Sequence, residues 1–468
     1  MTTSTSISTY SSNDFKSDSN LGKITKAKAE NIDNGTNRFG QRRETENYKK
    51  IQGLIKPFKI DLDSYKKGAA DKGVIIDWLN FETVLTNFEK KVNELENIKA
   101  EINLNNKLNG NSQEIRDKGR LLKDNEREIE LILFNLSQTL DIQISGIPIP
   151  AKLDVKVGKN DTENDVIKTV GEPTKFEFEV KDHLELGELL GIIDVERAAK
   201  VSGARFAYLK NEGVLLELAL VQFAIAKLTQ KGFVPVIPQT IISRDTMKAM
   251  GYMENGGDED MFQLKEDDKV LVGTAEQSIV PMHKDETFDL KDLPIRYVGY
   301  SSSFRREAGS YGKDTRGILR VHEFHKVEMV SYVAEGQDDL EHEFLREIEE
   351  EFFSDLKIPY QVIKMCTGDL GFPAVRKYDI EAWIPSQEKY REVTSTSTTA
   401  DFQARRLNIK YREGEDKKYA NILNGTAFAI GRTIIAILEN YQQADNSVVI
   451  PEVLRPFMGG LEKITPRS

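Results

Sequence analysis

The sequence predicts an α+β protein in which an antiparallel helical hairpin precedes an antiparallel sheet flanked by helices. Two observations support this prediction. Before residue 146, two heptad-patterned segments are joined by a short polar turn, as in a hairpin of long helices. Beyond about residue 170, strand-like runs outnumber segments of helical periodicity and often follow one another directly, which favours antiparallel over doubly wound pairing.

Changes of composition along the chain predict four parts. Residues 1–50 are rich in Ser, Thr, Asn and Lys and poor in large apolar residues, so we expect a disordered extension. Residues 51–145 contain the helical hairpin, and residues 146–170, which begin with the Pro-containing GIPIP, are expected to form a linker. Residues 171–468 are predicted to form a mixed α/β domain.

The composition limits the classes of protein to which the chain can belong. At 468 residues with 39% hydrophobic content, it can bury the cores of two or three domains. No apolar run approaches the roughly 20 residues that a membrane helix needs, and the single Cys366 excludes an intramolecular disulfide framework. We therefore expect a reducing, cytoplasmic location and no membrane partner. Because the net charge is −11, a nucleic-acid partner would have to bind a local basic patch.

The predicted hairpin has the apolar spacing of paired helices. Its first helix has the 4-3-4-3-7 spacing typical of a coiled-coil seam, at Phe81, Leu85, Phe88, Val92, Leu95 and Ile102. A similar repeat follows the polar turn, at Ile115, Leu122, Ile129, Leu133, Leu136 and Leu140. Each helix of ~28 residues would be roughly 40 Å long. Such an arm serves either to reach a partner or to dimerise, and the pattern leaves both open.

Residues 304–328 contain the most informative pattern in the chain, two charged candidate strands around a Gly-rich loop. Because side chains alternate along a strand, Arg305 and Glu307 are predicted to share one face. By the same argument, the return strand has four residues on one face, namely His322, Phe324, Lys326 and Glu328. A guanidinium can neutralise phosphates and an aromatic ring can stack on a base, so this surface suits a nucleotide. The alternative is a charged hairpin with a solvated face.

Two further segments offer polar groups of other kinds. In LVGTAEQ, Thr274 and Glu276 could bind an ammonium group, although a Thr-Glu helix cap fits the segment as well. In REVTSTSTTADF, Glu392 and Ser395 are hard oxygen ligands of the kind that Mg²⁺ accepts, and a solvated loop is the alternative. With one cysteine and five scattered histidines, a metal site built from His and Cys is not expected.

Residues 422–442 predict a strand, a glycine turn and an amphipathic helix with Arg432 near its start. The segment is not a P-loop, because five residues rather than four separate Gly425 from Gly431 and an arginine replaces the lysine. Arg305 and Arg432 are instead two candidate phosphate clamps. With nearby carboxylates they suit phosphoryl or nucleotidyl transfer, which depends on charge neutralisation and alignment.

In this order, the segments resemble those of class II aminoacyl-tRNA synthetases, and specifically of the seryl-tRNA synthetase family. Residues 304–328 are similar to motif 2, residues 422–442 to motif 3, and LVGTAEQ to the amino-acid-binding TxE loop. Further similar segments are CTGDLGFPAVRKYDIEAW, YREV with DFQARRLNIKYR, and VIPEVLRPFMGG. The likeness covers about residues 130–460, and the hairpin resembles the arm that binds tRNA in this family. It implies the class II fold, ATP as substrate and Mg²⁺ as cofactor.

The resemblance also implies roles for residues on the nucleotide side. Arg305 would bind both the serine carboxylate and the α-phosphate of ATP, and Arg432 would hold the γ-phosphate, so these two are the expected catalytic residues. Glu307 would bind the adenine amino group, and Phe324 would stack on the ring. The implied metal ligands are Glu392 and Ser395. The full ATP-binding set is Arg305, Glu307, Phe324, Glu392, Val393, Thr394, Ser395 and Arg432.

On the amino-acid side, the implied serine-binding set is Thr274, Glu276, Arg305, Glu328 and Thr426. Thr274 would lie near the α-ammonium group, and Glu328 and Thr426 would receive the serine hydroxyl. Two polar partners for one hydroxyl reject alanine, because bound alanine would leave both unpaired. Where the family often has NGSG, this chain has NGTA, which keeps the hydroxyl and adds a methyl group.

The implied function is activation of serine with ATP and its transfer to the 3′ end of tRNA(Ser), whose long variable arm the hairpin would bind. The hairpin offers cations for phosphate contacts, interleaved with acidic residues, at Lys90, Lys91, Lys99, Arg116, Lys118, Arg120, Lys123 and Arg127. The family also implies a homodimer, with the proline of motif 1 at Pro238. Two alternatives are a paralogue that charges a carrier protein, expected to lack the arm, and a non-catalytic homologue, which would tolerate loss of Arg305, Glu307 or Arg432.

Overall fold

The computed structural model describes residues 37–467 apart from 108–111, 255–256 and 309–315, with side chains from residue 48 onward. Its helices are α1 (Asn37–Ile60), α2 (Leu62–Asp71), α3 (Trp78–Lys107), α4 (Gln113–Ser145), α5 (His183–Leu189), α6 (Val195–Ser202), α7 (Glu212–Gln230), α8 (Arg244–Met250), α9 (Glu276–Ile279), α10 (Asp338–Asp355), α11 (Phe402–Leu407) and α12 (Ile430–Asn440). Its strands are β1 (Asp165–Val170), β2 (Ile193–Asp194), β3 (Tyr208–Leu209), β4 (Val234–Val236), β5 (Ile241–Ser243), β6 (Gln263–Leu264), β7 (Lys269–Leu271), β8 (Thr287–Asp289), β9 (Ile295–Phe304), β10 (Glu323–Val333), β11 (Tyr360–Lys364), β12 (Arg376–Ile384), β13 (Lys389–Thr398), β14 (Lys410–Glu413), β15 (Asp416–Tyr419), β16 (Asn421–Ala429), β17 (Val448–Val449) and β18 (Lys463–Ile464).

The chain forms two compact units. Lys90–Ser137 and the described residues before Ile51 form the first, and Ile51–Glu89 with the chain from Gln138 onward form the second. No helix in the described part of the chain is both long and apolar enough to cross a membrane.

The first unit contains the outer parts of α3 and α4, which pair as the two helices of the predicted hairpin. Leu95 and Leu133 are buried between them, and Lys99 Nζ lies 3.2 Å from Glu130 Oε1. With 30 and 33 residues, the two helices are slightly longer than predicted. The helical hairpin is thus confirmed, whereas residues 108–111 of its turn lie outside the described residues.

The second unit is built on an eight-stranded sheet with the order β1-β11-β12-β13-β16-β10-β9-β4. Neighbouring strands are antiparallel throughout, except that β4 pairs parallel to β9 at one edge. The predicted antiparallel sheet is therefore confirmed. Its centre brings β10, β13 and β16 side by side, although long stretches of sequence separate these three strands.

Helices α7, α10 and α12 pack on one face of this sheet. Val327 and Met329 of β10 point into that core, together with Leu345 of α10 and Ile434 of α12. Because side chains alternate along a strand, the intervening residues of β10 lie on the opposite face. There a smaller core that includes Tyr332 covers one end of the sheet. The remainder of this second face is free to hold polar groups.

Two predicted boundaries differ from the structure. Helix α1 begins at Asn37, so the expected disordered stretch does not extend to residue 50, and residues 1–36 lie outside the described residues. The expected linker 146–170 ends in β1, which pairs with β11 at the edge of the large sheet. The sheet therefore begins before residue 171, because these six residues supply hydrogen bonds to an otherwise open edge.

Two predicted elements have different limits. The helical periodicity of residues 186–200 predicts one helix, but the structure divides it into α5 and α6, since Gly191 has a φ of +68° and leads into the short strand β2. The glycine turn expected within 422–442 is wrong, because β16 continues through Gly425 to Ala429 and is paired with strands on both sides. The helix starts only at the next residue.

Candidate active site

A cavity of about 410 Å³ opens on the face of the sheet opposite α7, α10 and α12. It is lined by every residue that the sequence analysis assigned to a site, namely Thr274, Glu276, Arg305, Glu307, Phe324, Glu328, Glu392, Val393, Thr394, Ser395, Thr426 and Arg432. The sheet thus brings together residues that are far apart in the chain. Their individual roles remain predictions.

Arg305 lies directly after β9, which ends at Phe304. Its Nε and Nη2 both donate to the carbonyl oxygen of Gly273 at 3.3 Å. Its Cζ lies 5.3 Å from the centre of the Phe324 ring, within the range of a cation–π contact. The guanidinium is therefore held against the wall of the cavity by a backbone carbonyl and an aromatic face.

Glu307 lines the cavity from an irregular backbone segment rather than from the regular strand that the sequence predicts. It lies beyond the end of β9 and has a φ of +53°, in the left-handed region that non-glycine residues rarely adopt. Its Oε2 accepts a hydrogen bond from Arg320 Nη1 at 2.6 Å. The regular strand expected through Arg305 and Glu307 is thus wrong, although both residues line the cavity.

His322 is the one residue of the predicted charged face that takes another position. It precedes β10, and its Nδ1 lies 3.0 Å from the carbonyl oxygen of Arg305. Its ring packs near Phe206, with 5.4 Å between ring centres. His322 therefore supports the backbone of the neighbouring strand, whereas Phe324 and Glu328 line the cavity as predicted.

Glu328 and Thr426 are directly opposite each other on β10 and β16. Thr426 Oγ1 donates to Glu328 Oε2 at 3.1 Å, and Lys326 Nζ lies 2.7 Å from the same carboxylate oxygen. Glu328 and Thr426 are both nearly inaccessible to solvent. The pair forms a small polar floor, where a carboxylate and a hydroxyl lie within reach of one small ligand group.

Thr274 and Glu276 lie beside this floor, and Glu276 is the first residue of α9. Glu276 Oε2 accepts from Tyr252 Oη at 2.9 Å, and Oε1 accepts from Gln403 Nε2 at 2.8 Å. Burial raises the pKa of Glu276, and the nearby Glu328 adds to this effect. Among the described residues, Thr274 Oγ1 is buried and has no hydrogen-bond partner. An unsatisfied buried hydroxyl of this kind is a candidate ligand contact.

Glu392 and Ser395 are three residues apart in β13, a spacing that places side chains on opposite faces of a regular strand. A β-bulge changes this, because the register with β12 shifts between Ile380 and Glu381 and leaves Val393 without an opposite residue. Glu392 and Ser395 consequently share the cavity face. The short-range pattern alone could not predict this.

Arg432, near the start of α12, holds Glu392 in place. Its Nη1 lies 3.1 Å from Glu392 Oε2 and 3.1 Å from the Glu392 carbonyl oxygen. Burial by itself raises the pKa of Glu392, but the charges of Arg432 and Lys377 outweigh it and lower the pKa. For the neighbouring Asp379, burial outweighs Lys377 and raises the pKa. Of these two neighbouring acids, Glu392 is therefore the one that is held as an ionised carboxylate.

The part of the cavity at Glu392 and Ser395 fits a divalent cation that takes few protein ligands. A carboxylate and a hydroxyl on one strand face are hard oxygen donors of the kind that Mg²⁺ accepts, with waters and phosphates completing its shell. Within the described residues, no group of three or more His, Cys, Asp or Glu side chains forms a protein-only metal site. Glu392 and Ser395 would therefore hold a cation only together with an anionic ligand.

Sequence reasoning did not single out four residues that contribute to the site. The structure adds Tyr252, Arg320 and Lys377 to the cavity wall and Gln403 behind Glu276, whereas Lys326 lines the cavity as the strand pattern predicted. A signal existed for Lys377, since it lies two residues before Asp379 on a strand and therefore shares its face. Tyr252 and Gln403 gave no local signal, because they come from loop and helix positions that only the tertiary structure brings here.

Comparison with known proteins agrees with this geometry. The sequence model of a family described as the tRNA synthetase class II core domain (G, H, P, S and T) matches residues 261–441. That range includes every predicted site residue and the central strands β10, β13 and β16. The antiparallel sheet and its cavity thus define the core of a class II aminoacyl-tRNA synthetase.

Curated relatives narrow this class to one family. A serine–tRNA ligase of Acidothermus cellulolyticus is 53% identical over 294 residues, which cover 63% of this chain and 70% of the relative. That of Trichlorobacter lovleyi is 39% identical over 427 residues, covering 88% of this chain and 99% of the relative. The chain belongs to the serine–tRNA ligases, the seryl-tRNA synthetase family.

Solved structures of the same family have the same fold. A seryl-tRNA synthetase from Pyrococcus horikoshii complexed with ATP is 37% identical, with a TM-score of 0.82 over 88% of this chain and 99% of that chain. The cytoplasmic serine–tRNA ligase of Naegleria fowleri in complex with AMP is 28% identical, with a TM-score of 0.79 over 89% and 98% of the two chains.

Proposed function

We propose that this chain activates serine with ATP, forming seryl-adenylate and diphosphate, and then transfers serine to the 3′-terminal ribose of tRNA(Ser). The main support is the joint placement of Arg305, Arg432, Glu392 and the Glu328–Thr426 pair around one cavity. Family membership supports the same reaction. In this proposal, the protein contributes alignment and charge neutralisation rather than a nucleophile of its own.

Arg305 would bind the serine carboxylate and the α-phosphate together. A guanidinium presents several fixed N–H donors and can therefore bind two oxyanions at once. As a carboxylate oxygen attacks the α-phosphorus and the bond to the leaving diphosphate breaks, negative charge grows on the phosphoryl oxygens. Because Arg305 already lies in the cavity wall, it can stabilise this charge without a large movement.

Phe324 and Glu307 would hold the adenine. The ring of Phe324 offers a face for stacking, and the Glu307 carboxylate would accept a hydrogen bond from the exocyclic amino group. The ion pair with Arg320, at 2.6 Å, keeps that carboxylate oriented. Arg320 would thus support adenine recognition indirectly.

Arg432 would bind the γ-phosphate, and Glu392 and Ser395 would hold Mg²⁺ together with the ATP phosphates. Val393 and Thr394 would contribute backbone to the same wall. When bound, Mg²⁺ would neutralise phosphate charge and help the diphosphate to leave. Arg432 is paired with Glu392, and both side chains line the part of the cavity where the phosphates would bind.

Glu328 and Thr426 would select serine. The serine hydroxyl would bind between the carboxylate and the hydroxyl of this buried pair, while Thr274 and Glu276 would lie near the α-ammonium group. An alanine substrate would leave both polar groups of the floor without a new partner, which disfavours its binding. A serine residue at position 426 would lack the methyl group of Thr426. This methyl group therefore leaves less room in the cavity for an amino-acid substrate with a larger side chain.

The remaining proposals concern partners and location. The helical hairpin of α3 and α4 would bind tRNA(Ser) through its interleaved cations, as the family resemblance implies. The chain would act as a homodimer in the cytoplasm. Support for the dimer comes from exposed apolar side chains near the edge strand β4, since Val234, Ile237 and Ile241 are 53, 87 and 45% exposed.

ATP–diphosphate exchange measured with each of the twenty amino acids tests the proposed activation step. We expect exchange with serine and little with alanine or threonine. Arg305→Ala should reduce serine-dependent exchange by at least about 100-fold, as expected for a donor to the transition state. The neighbouring exposed Arg306→Ala should have little effect.

The outcome also separates the alternatives. Near-normal exchange in Arg305→Ala would refute the role of this residue. Serine-dependent exchange without charging of tRNA(Ser) would favour a paralogue that charges a carrier protein. No exchange with any amino acid by the unaltered chain would favour a non-catalytic homologue.

A further inference from the structure

Glu349 of α10 lies beneath the cavity, on the face of the sheet that the helices cover. Its side chain is completely buried, with 0% exposure, and it is absent from the cavity wall. A buried carboxyl group is costly unless it has polar partners. Its contacts therefore indicate why this position has an acid.

The first contact of Glu349 is with β13. Thr394 Oγ1 donates a hydrogen bond to Glu349 Oε2 at 2.9 Å. Further along the same strand, Thr398 Oγ1 donates to Asp338 Oδ2 at 3.1 Å. Asp338 and Glu349 thus both connect helix α10 to β13, and of these two Glu349 lies under the cavity.

The second contact of Glu349 is with β16. A Cβ atom on Gly425 would lie 3.0 Å from Glu349 Oε1, so the carboxyl group packs directly against the backbone at this glycine. The backbone N–H of Thr426 also stabilises the charged form of the acid. Among the described residues, Oε1 has no conventional hydrogen-bond partner. The space next to Gly425 is therefore filled by this oxygen.

Burial of Glu349 in this position raises its pKa well above the usual value, and the nearby Asp379 and Glu328 add to the shift. This environment consequently favours the neutral form of the carboxyl group. A glutamine amide has a similar shape and keeps a carbonyl oxygen that accepts a hydrogen bond. This similarity allows a conservative substitution to separate shape from charge.

We propose that Glu349 is a positioning residue for amino-acid selection, which fixes Thr394 and the Gly425–Thr426 backbone and so sets the depth of the cavity at the Glu328–Thr426 floor. The inference rests on the proposed function, because it assumes that this floor receives the serine side chain. The physical basis of this inference is the absence of free space around the Glu349 carboxyl group. This group contacts both β13 and β16 at the point where Thr426 Oγ1 must stay 3.1 Å from Glu328 Oε2.

The test uses two substitutions of Glu349 in the full chain. Glu349→Leu keeps a similar volume but removes the acceptor for Thr394, and should raise the KM for serine by about tenfold, as for one lost buried hydrogen bond. It should also lower the preference for serine over alanine in ATP–diphosphate exchange. Glu349→Gln keeps the acceptor and the shape and should restore near-normal values. The KM for ATP should change less than twofold with either substitution.

Glu350 provides a matched control on the same helix. It is also buried, at 5% exposure, but interacts with Lys168 and Arg346 and accepts from Tyr360 Oη at 3.2 Å, away from the cavity. Glu350→Leu should lower the melting temperature without altering the ratio of the KM values for serine and ATP. A general loss of stability is thereby distinguished from a loss of positioning.

The possible outcomes are separable. A normal serine KM and normal serine-over-alanine preference in Glu349→Leu would overturn the inference, as would equal damage by Glu349→Gln and Glu349→Leu. Should Glu349→Leu fail to fold, Glu349→Gln and Glu349→Asp would decide, since only the shortened side chain should change the serine KM. If the unaltered chain shows no serine-dependent exchange, it is the proposed function that fails.

Discussion

Glu392 and Asp379 show how neighbouring carboxyl groups acquire opposite protonation tendencies from their surroundings. Burial raises the pKa of both groups, but Glu392 contacts Arg432 and has its pKa lowered overall, whereas Asp379 remains raised despite Lys377. Only the group beside the arginine is held as an anion. The charges of Arg432 and Lys377 thus favour Glu392 over Asp379 as the ionised cation ligand.

His342 shows a similar effect in a structural role. Its Nδ1 accepts from Arg376 Nε at 3.1 Å, and burial together with the Arg376 charge lowers its pKa to about 3. Folding therefore favours the neutral ring. The resulting stabilisation is complete above the ordinary pKa of 6.5 and is lost as the pH falls from there toward 3.

We accordingly predict that His342→Asn makes the melting temperature less dependent on pH on the acid side of neutrality. The amide oxygen can replace Nδ1 as acceptor for Arg376 but does not titrate. The variant should be less stable than the unaltered chain at pH 7, yet should lose less of its melting temperature between pH 7 and pH 4. Calorimetry over this range is the measurement, and parallel pH profiles for the two proteins would contradict the prediction.

At the level of secondary structure, two β-bulges turn regular strands into a site. In β13 the bulge lies at Val393, and in β16 it lies at Ala427, where the register with β10 shifts between Val327 and Glu328. An extra residue reverses the side-chain alternation beyond it. Polar groups of neighbouring strands consequently meet on the cavity face, while Val393 itself is buried in the core below.

A loop on the cavity wall is held by a helix from the N-terminal part of the second unit. Lys72, directly after α2, donates from Nζ to the carbonyl oxygens of Gly371, Phe372 and Ala374 at 3.0, 3.3 and 2.6 Å. Gly371 and Ala374 line the cavity. Burial lowers the pKa of Lys72 to about 7, and its side-chain amino group contacts three carbonyl groups of an irregular segment that has few internal hydrogen bonds to hold it.

We predict that Lys72→Met loosens this loop. Hydrogen exchange of residues 371–375 should become faster, because local opening no longer breaks the three hydrogen bonds from Lys72. The KM for ATP should rise by a few-fold. Lys67→Met, which removes an exposed partner of Asp71 on the same helix, is the control and should leave both quantities unchanged; equal exchange rates in all three proteins would refute the role of Lys72.

At the scale of the whole molecule, the cavity and the outer part of the helical hairpin belong to different compact units. Every residue of the cavity wall lies between Tyr252 and Arg432, within the second unit. The first unit contributes buried leucines and ion pairs between α3 and α4. If the hairpin binds tRNA as proposed, a deletion should therefore separate adenylate formation from tRNA charging.

Removal of residues 90–137, with Glu89 and Gln138 joined by a short Gly-containing turn, should preserve serine-dependent ATP–diphosphate exchange and abolish charging of tRNA(Ser). The physical reason is that, in the proposed function, the hairpin cations contact tRNA phosphates and release counterions, which contributes to tRNA affinity. Charging that persisted at normal rates would show that the hairpin has only a structural role. Circular dichroism would verify that the shortened chain is folded.

The proposed homodimer has its own test. Ile237 is 87% exposed beside the edge strand β4, and a second copy would bury it. Ile237→Glu should therefore shift sedimentation from dimer to monomer, because an unpaired buried charge opposes association. Lys265→Glu, on an exposed strand-to-strand turn, is the control; a monomeric unaltered chain would refute the dimer.

The sequence by itself determined the helical hairpin, the antiparallel sheet and the identity of the polar groups at the site. Apolar periodicity and residue type are local properties. They can be recognised in short segments of the sequence, such as those around Arg305, Glu392 and Arg432. Family motifs added the expected roles, and all the residues concerned line one cavity.

Only the tertiary structure decided how these groups meet. The bulge at Val393, the left-handed conformation of Glu307 and the burial of Glu349 against Gly425 depend on register and on packing across the sheet. None of these has a signature in a single segment, because each results from contacts between residues far apart in the chain. The geometry of the site is consequently a property of the assembled sheet rather than of any one motif.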